Sequence, residues 1–190
     1  SDRPKLSIWR PTPAQAFDAN GDEKAVQAHI ARSLEGMGWS VHREVYSRER
    51  FAWTGNKRDA KRRIDIVALA PDDWPHPWLA TIGVEVKLGV RLDDPSMGPA
   101  YVDQSIQASV YQSAYDFHTT GAGSKLDVPL PRPDIVLLAV EEVLDDPPAA
   151  GSARATALHV TERFLWRLGC ALLTRRDGWV GFEANVGTRG

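Results

Sequence analysis

Two hydrophobic rhythms alternate along this chain, one of helical period and one of strand period. Between Asp22 and Gly38 the apolar residues Val26, Ile30, Leu34 and Met37 recur every three or four positions, with Asn20 or Asp22 placed to cap the start and Gly36 and Gly38 to stop the end. The pattern predicts a first helix that lays one face on a sheet. Residues 41–46, 64–70 and 79–88 are rich in β-branched side chains and bounded by Gly, Pro and Asp, which predicts three strands. The prolines of 71–78 exclude regular structure between the second and third. A long helix is predicted over 99–118. After a Gly/Pro-rich stretch, the continuous apolar run 134–140 predicts a strand covered on both faces at the centre of the sheet. A helix over 155–168 and two strands, 170–174 and 179–182, joined as a hairpin across Asp177-Gly178, complete the order α-β-β-β-α-β-α-β-β. No internal repeat is present. The expected architecture is a single α/β domain over 1–190, a mixed sheet flanked by helices, with its core over about 22–140 and a C-terminal helix plus β-hairpin over about 153–184.

Composition narrows the classes. The chain has 190 residues, 43% of them hydrophobic, and seven tryptophans, enough for a sizeable core and too apolar for disorder. No run approaches the ~18 consecutive apolar residues of a membrane span, so no membrane partner is expected. The opening Ser1-Asp2-Arg3-Pro4 lacks the pattern of a secretory signal, and Cys170 has no second cysteine to bridge. Both features predict a reducing, intracellular (cytoplasmic) setting.

The net charge of −2 carries no nucleic-acid signature, but its distribution does. Between residues 43 and 63 the cations Arg43, Arg48, Arg50, Lys57, Arg58, Lys61, Arg62 and Arg63 outnumber Glu44, Glu49 and Asp59, and Phe51 and Trp53 are interleaved. Such a stripe can follow a phosphate backbone, which makes Lys57, Arg58, Lys61, Arg62 and Arg63 candidate DNA-binding residues. The plainer alternative is a solvated hairpin tip.

The candidate chemistry lies in Arg63-Ile64-Asp65-Ile66-Val67 and Gly83-Val84-Glu85-Val86-Lys87, where two carboxylates and an ammonium interrupt apolar strands. An ionised carboxylate taken out of water costs several kcal/mol unless it is paired or binds a metal. Strand alternation puts Glu85 and Lys87 on one face, and Asp65 can share it with Val67 and Leu69. Two carboxylates so placed suit Mg²⁺, a hard cation that takes one or two carboxylates together with water and substrate phosphate, and the backbone carbonyl of Val86 could add an oxygen. A metal held there would polarise a phosphoryl oxygen and activate water, with Lys87 orienting that water or helping to deprotonate it. The alternative is a buried ion-pair cluster without chemistry.

These residues resemble the PD-(D/E)xK nuclease superfamily, whose restriction-endonuclease-like core runs α-β-β-β-α-β with an acid on the first helix, an Asp on the second strand and Glu-x-Lys on the third. The likeness covers most of the chain, from about residue 22 to 140, although Ile64 stands where the family name has proline. It implies that Asp65 and Glu85 are metal ligands and Lys87 the catalytic lysine, with Mg²⁺ as cofactor and Mn²⁺ able to substitute. The first-helix acid matches Glu23, three residues before Val26 and seven before Ile30 on the edge of the packed face, whereas Glu35 points away. Without a metal role, Glu23 would serve the helix dipole. Gln107-Ala108-Ser109-Val110-Tyr111 resembles the Gln-x-x-x-Tyr motif of the RecB-like branch, which implies that Gln107 and Tyr111 support the site or contact DNA. Gln104 and Tyr115 share their helix face, and Val102, Ile106, Val110 and Phe117 line the opposite one, to be covered by the helix from Ala155 or by a second subunit.

The resemblance implies a DNA nuclease that leaves a 5′-phosphate, acting on ends or single strands. Two alternatives stand beside it: a junction resolvase working as a homodimer, and a non-catalytic DNA-binding or protein-interaction module of the same fold. A partner protein is compatible with each. Other features lead elsewhere or nowhere. Gly121-Ala122-Gly123-Ser124-Lys125 lacks the spacing of a phosphate loop, and His29, His42, His76, His118 and His159 are scattered without metal-ligand spacing. Asp72/Asp73, Asp93/Asp94 and Asp145/Asp146 read as solvated turns, and Trp74 and Trp78 as caps on the sheet edge.

Overall fold

The structure, a computed structural model, describes residues 5–8, 22–49, 62–88, 115–119, 128–140, 149–176 and 181–185. In chain order these form β1 (Lys5–Ile8), α1 (Glu23–Gly36), β2 (Ser40–Glu49), β3 (Arg62–Leu69), a 3₁₀ turn (Pro77–Leu79), β4 (Thr81–Lys87), β5 (Tyr115–His118), β6 (Pro129–Leu130), β7 (Ile135–Val140), α2 (Ala153–Arg167), β8 (Cys170–Arg176) and β9 (Gly181–Asn185). The strands make one mixed sheet in the order β1-β9-β8-β7-β4-β3-β2-β5-β6. The pairs β4–β7 and β7–β8 are parallel and the others antiparallel. Among the described residues no helix is long and apolar enough to cross a membrane.

The helix ends follow from local chemistry. Asp22 caps α1 by accepting the Lys24 N–H at 2.9 Å, and the chain leaves through Met37 and Gly38, whose φ of 89° suits a residue without Cβ. Ser152 caps α2 by accepting the Ala155 N–H at 3.1 Å.

Two apolar layers sandwich the sheet. Val26, Ile30, Ala31 and Leu34 of α1 pack on Ile66, Ala68, Ile82, Val84, Val86, Leu137 and Ala139. On the other face Leu165 of α2 packs with Val45, Ile64, Val67, Phe117, Val136, Leu138 and Leu172. Successive residues of β7 thus enter opposite layers, as expected of a strand covered on both sides; β4, its neighbour, is the middle strand of the nine. One detail departs from alternation. Ile64 and Ile66, two apart on β3, lie in opposite layers, so the strand turns over at Asp65.

The sequence-based helix over 99–118 is corrected at its end. Residues 115–118 are strand β5, paired antiparallel with Tyr46–Glu49, and Phe117 is a buried core residue instead of part of a helical stripe. Tyr115 therefore does not share a helix face with Gln104. Residues 99–114, with Gln104, Gln107, Tyr111, Val102, Ile106 and Val110, lie outside the described residues. The loop between β3 and β4 holds a 3₁₀ turn that starts at Pro77, a position where a missing N–H is harmless. Trp74 packs edge-on against buried Trp39 at 5.0 Å, while Trp78 stays exposed.

Candidate functional site

Strands β3 and β4 part company at the charged residues. Their ladder runs from Leu69↔Thr81 to Ile66↔Val84 and ends there, one step short of Asp65 and Glu85. In place of a backbone partner, the Val86 N–H donates to the Asp65 carboxylate (Oδ2) at 2.7 Å. On its other side β4 stays paired with β7 through Glu85↔Leu138 and Lys87↔Val140. The result is a fork at the carboxyl end of β4, the end at which open α/β sheets place their ligands. Further back, β3 and β4 approach closely. A Cβ on Gly83 would sit 2.7 Å from Ile64 Cδ1 and 3.1 Å from Pro133 Cγ, so any side chain here would force buried Ile64 to shift.

Glu85 is buried, with 2% of its surface exposed. Its Oε1 lies 3.1 Å from Lys87 Nζ, while its Oε2 is buried and without a hydrogen-bond partner. Burial pushes the Glu85 carboxyl up to about 7, the charge of Asp65 pushes the same way, and Lys87 pulls back. Asp65 is also raised, first by burial; the Val86 N–H and Lys87 oppose this, and the charges of Glu44 and Glu23 add to it. For Lys87 burial acts downward, but Glu85, Asp65 and Glu23 outweigh it and hold the ammonium above its ordinary value. Glu23, the first residue of α1, accepts the Leu88 N–H at 3.0 Å, which docks the helix start on the end of β4.

The site thus centres on Asp65, which feels the charges of Glu23, Glu44 and Lys87 and in turn acts on Glu85, while Lys87 feels Glu85, Asp65 and Glu23. A buried carboxylate oxygen without a partner and an excess of negative charge both fit a divalent cation. Among the described residues no three His, Cys, Asp or Glu side chains converge as a ready ligand set. Asp65 and Glu23 are each turned onto a backbone N–H.

Of the residues singled out from sequence, Glu23, Asp65, Glu85 and Lys87 come together. Val86 enters through its N–H, while its residue position pairs with Ala139 of β7. Arg63 is an exposed residue of β3, and Arg62 begins that strand opposite Ser47. Lys57, Arg58 and Lys61 lie outside the described residues. The proposed homodimer stripe loses Phe117 to the core. Glu44 and Tyr46, which stand opposite or next to the fork on β2, belong to no sequence motif; their only signal is strand register, which is set by pairing and is invisible in one strand. Cys170 is buried and its thiol pushed up to about 12 by that burial, the state of an inert core residue. No family model, curated protein or solved structure matches the chain.

Proposed function

We propose that the protein is a Mg²⁺-dependent deoxyribonuclease of restriction-endonuclease-like fold, hydrolysing DNA phosphodiester bonds at the fork between β3 and β4. The observation that carries this reading is Glu85: a buried carboxylate with one oxygen on Lys87 and the other without a partner, beside Asp65. The run α1-β2-β3-β4 with an acid on the helix, an acid on the middle strand and Glu-x-Lys on the last supports it as well.

Asp65 and Glu85 would hold the metal, with Glu23 at its margin. Bound there, Mg²⁺ supplies charge stabilisation at a phosphoryl oxygen and acidifies water. The protein's own part is positional. The Val86 N–H fixes the Asp65 carboxylate, α1 delivers Glu23, and the apolar layers keep bulk water from Glu85. Lys87, 3.1 Å from Glu85 Oε1, would orient the attacking water or help to deprotonate it, and offset charge on the phosphate. The Gln107-x-x-x-Tyr111 spacing resembles the RecB-like branch and supports a reading toward ends or single strands.

The test is cleavage of labelled single-stranded, duplex, flapped and four-way DNA in Mg²⁺, Mn²⁺ or EDTA. Metal-dependent cutting is expected, reduced by roughly 10²-fold or more in Glu85→Ala and Lys87→Ala. Cutting that survives EDTA, or a folded protein that cuts none of the panel, overturns the proposal.

A further inference from the structure

Beside the fork, β2 and β3 carry a constellation that hydrolysis at Asp65 and Glu85 leaves unused. Glu44 has a φ of 51°, the left-handed region that a glutamate enters only when its surroundings compel it. Among the described residues it is the one non-glycine with positive φ. The β2–β3 register is regular on both sides, at Arg43↔Ile66 and Val45↔Ile64, and lapses at the step where Glu44 stands opposite Asp65. This is also where β3 turns over, since Ile64 and Ile66 enter opposite layers.

The turned-out Glu44 carboxylate meets Arg63, with Oε2 3.5 Å from Nη1. Arg63 Nη2 donates to the Tyr46 hydroxyl at 3.0 Å, and the guanidinium carbon lies 4.6 Å from the Tyr46 ring centroid. A surface arginine ordinarily samples many rotamers; this one is held by a carboxylate, a hydroxyl and an aromatic ring while 52% of its side chain faces solvent. It stands two residues from Asp65 on the same strand, and Glu44 links the two, being paired with one and felt electrostatically by the other. A planar guanidinium fixed in orientation matches the oxygens of a phosphate better than a mobile cation does.

We propose that Glu44, Tyr46 and Arg63 form a preset phosphate clamp, in which Arg63 grips a backbone phosphate flanking the one cut and Glu44 and Tyr46 are positioning residues. The clamp rests on the reading of the substrate as DNA. Its rival is an ordinary surface ion pair, and the two differ in sign. Removing the charge of Glu44 lessens repulsion of DNA, so an ordinary pair predicts tighter binding by Glu44→Gln; a clamp predicts weaker binding, because Arg63 loses its orientation.

The experiment is fluorescence anisotropy of labelled single-stranded and duplex oligonucleotides over a salt series in Mg²⁺, in a Lys87→Ala background that slows cleavage, read before the DNA is cut. Arg63→Ala is expected to raise Kd roughly tenfold at ~0.1 M salt and make the log–log salt slope shallower by about one. Arg63→Lys keeps the slope but recovers only part of the affinity. Glu44→Gln weakens binding about threefold, and Glu44→Gly, which suits the left-handed φ, weakens it while its Tm stays at or above that of the parent. Unchanged affinity and slope in Arg63→Ala, or tighter binding by Glu44→Gln, overturns the clamp; if the native protein still cleaves DNA, the nuclease reading survives that result. The expected slope change with a native protein that cleaves nothing supports the clamp and overturns the nuclease. Absence of DNA binding throughout overturns both.

Discussion

Glu85 bears the largest electrostatic load of any residue at the fork, and the load has a pH signature. Its carboxyl is raised from an ordinary 4.5 to about 7 in the folded protein, so its contribution to stability is fully present below about pH 4.5 and lost as the pH rises through about 7. Asp65 is raised too and acts in the same direction. In EDTA, the native protein is expected to lose on the order of 1–3 kcal/mol from this residue between about pH 5 and pH 8, and Glu85→Gln to lose much less. Urea unfolding at the two pH values checks it; parallel pH dependence in the two proteins would refute the assignment. At this scale much of the site is legible in the sequence, because a charged residue between β-branched neighbours is conspicuous and strand alternation pairs Glu85 with Lys87. Glu44 is illegible for the opposite reason. Nothing about a glutamate announces a positive φ, and the turnover of β3 at Asp65 breaks the alternation on which such reading relies.

Strand β4 is the element that organises the site, and its close packing is as necessary as its charges. Its start is aligned with β7 by a reciprocal pair of bonds, in which Asp134 N–H donates to the Thr81 carbonyl at 2.7 Å and the Thr81 N–H to the Asp134 carboxylate at 2.9 Å. Two residues on, Gly83 admits Ile64, and that contact holds β3 against β4 just before they part. Gly83→Ala would drive a methyl into fully buried Ile64 and towards Pro133, which is expected to cost about 1–3 kcal/mol and to disturb Asp65 through its neighbour. Denaturant midpoints and cleavage rates measured together check this: a loss of activity larger than the loss of folded protein shows that the packing positions the fork. Elements with strong periodicity, α1 and β2 to β4 among them, are legible in sequence to within a few residues. Strand β5 is not. Its four residues continue a pattern with helical spacing, and their conformation is decided by pairing with Tyr46–Glu49, a partner remote in sequence.

Across the whole molecule, the two parallel pairs around β7 and the antiparallel ribbons on either side give the sheet a centre that both apolar layers cover. The apolar run 134–140 marks β7, one strand from the middle of the nine, whereas short edge strands such as β1 and β6 have no pattern of their own to reveal. Strand β1 has a further consequence, one of timing. It pairs along the chain's far end, Lys5↔Asn185 to Ile8↔Phe182, and β9 must itself first join β8. During synthesis at ~5–20 residues per second, β1 waits roughly 10–40 s before its partner exists. In refolding it faces the largest loop-closure entropy of any strand in the sheet. Pulsed hydrogen exchange is therefore expected to show the amides of residues 5–8 gaining protection after those of β3, β4 and β7; protection acquired in step with the central strands would show that the two ends meet early.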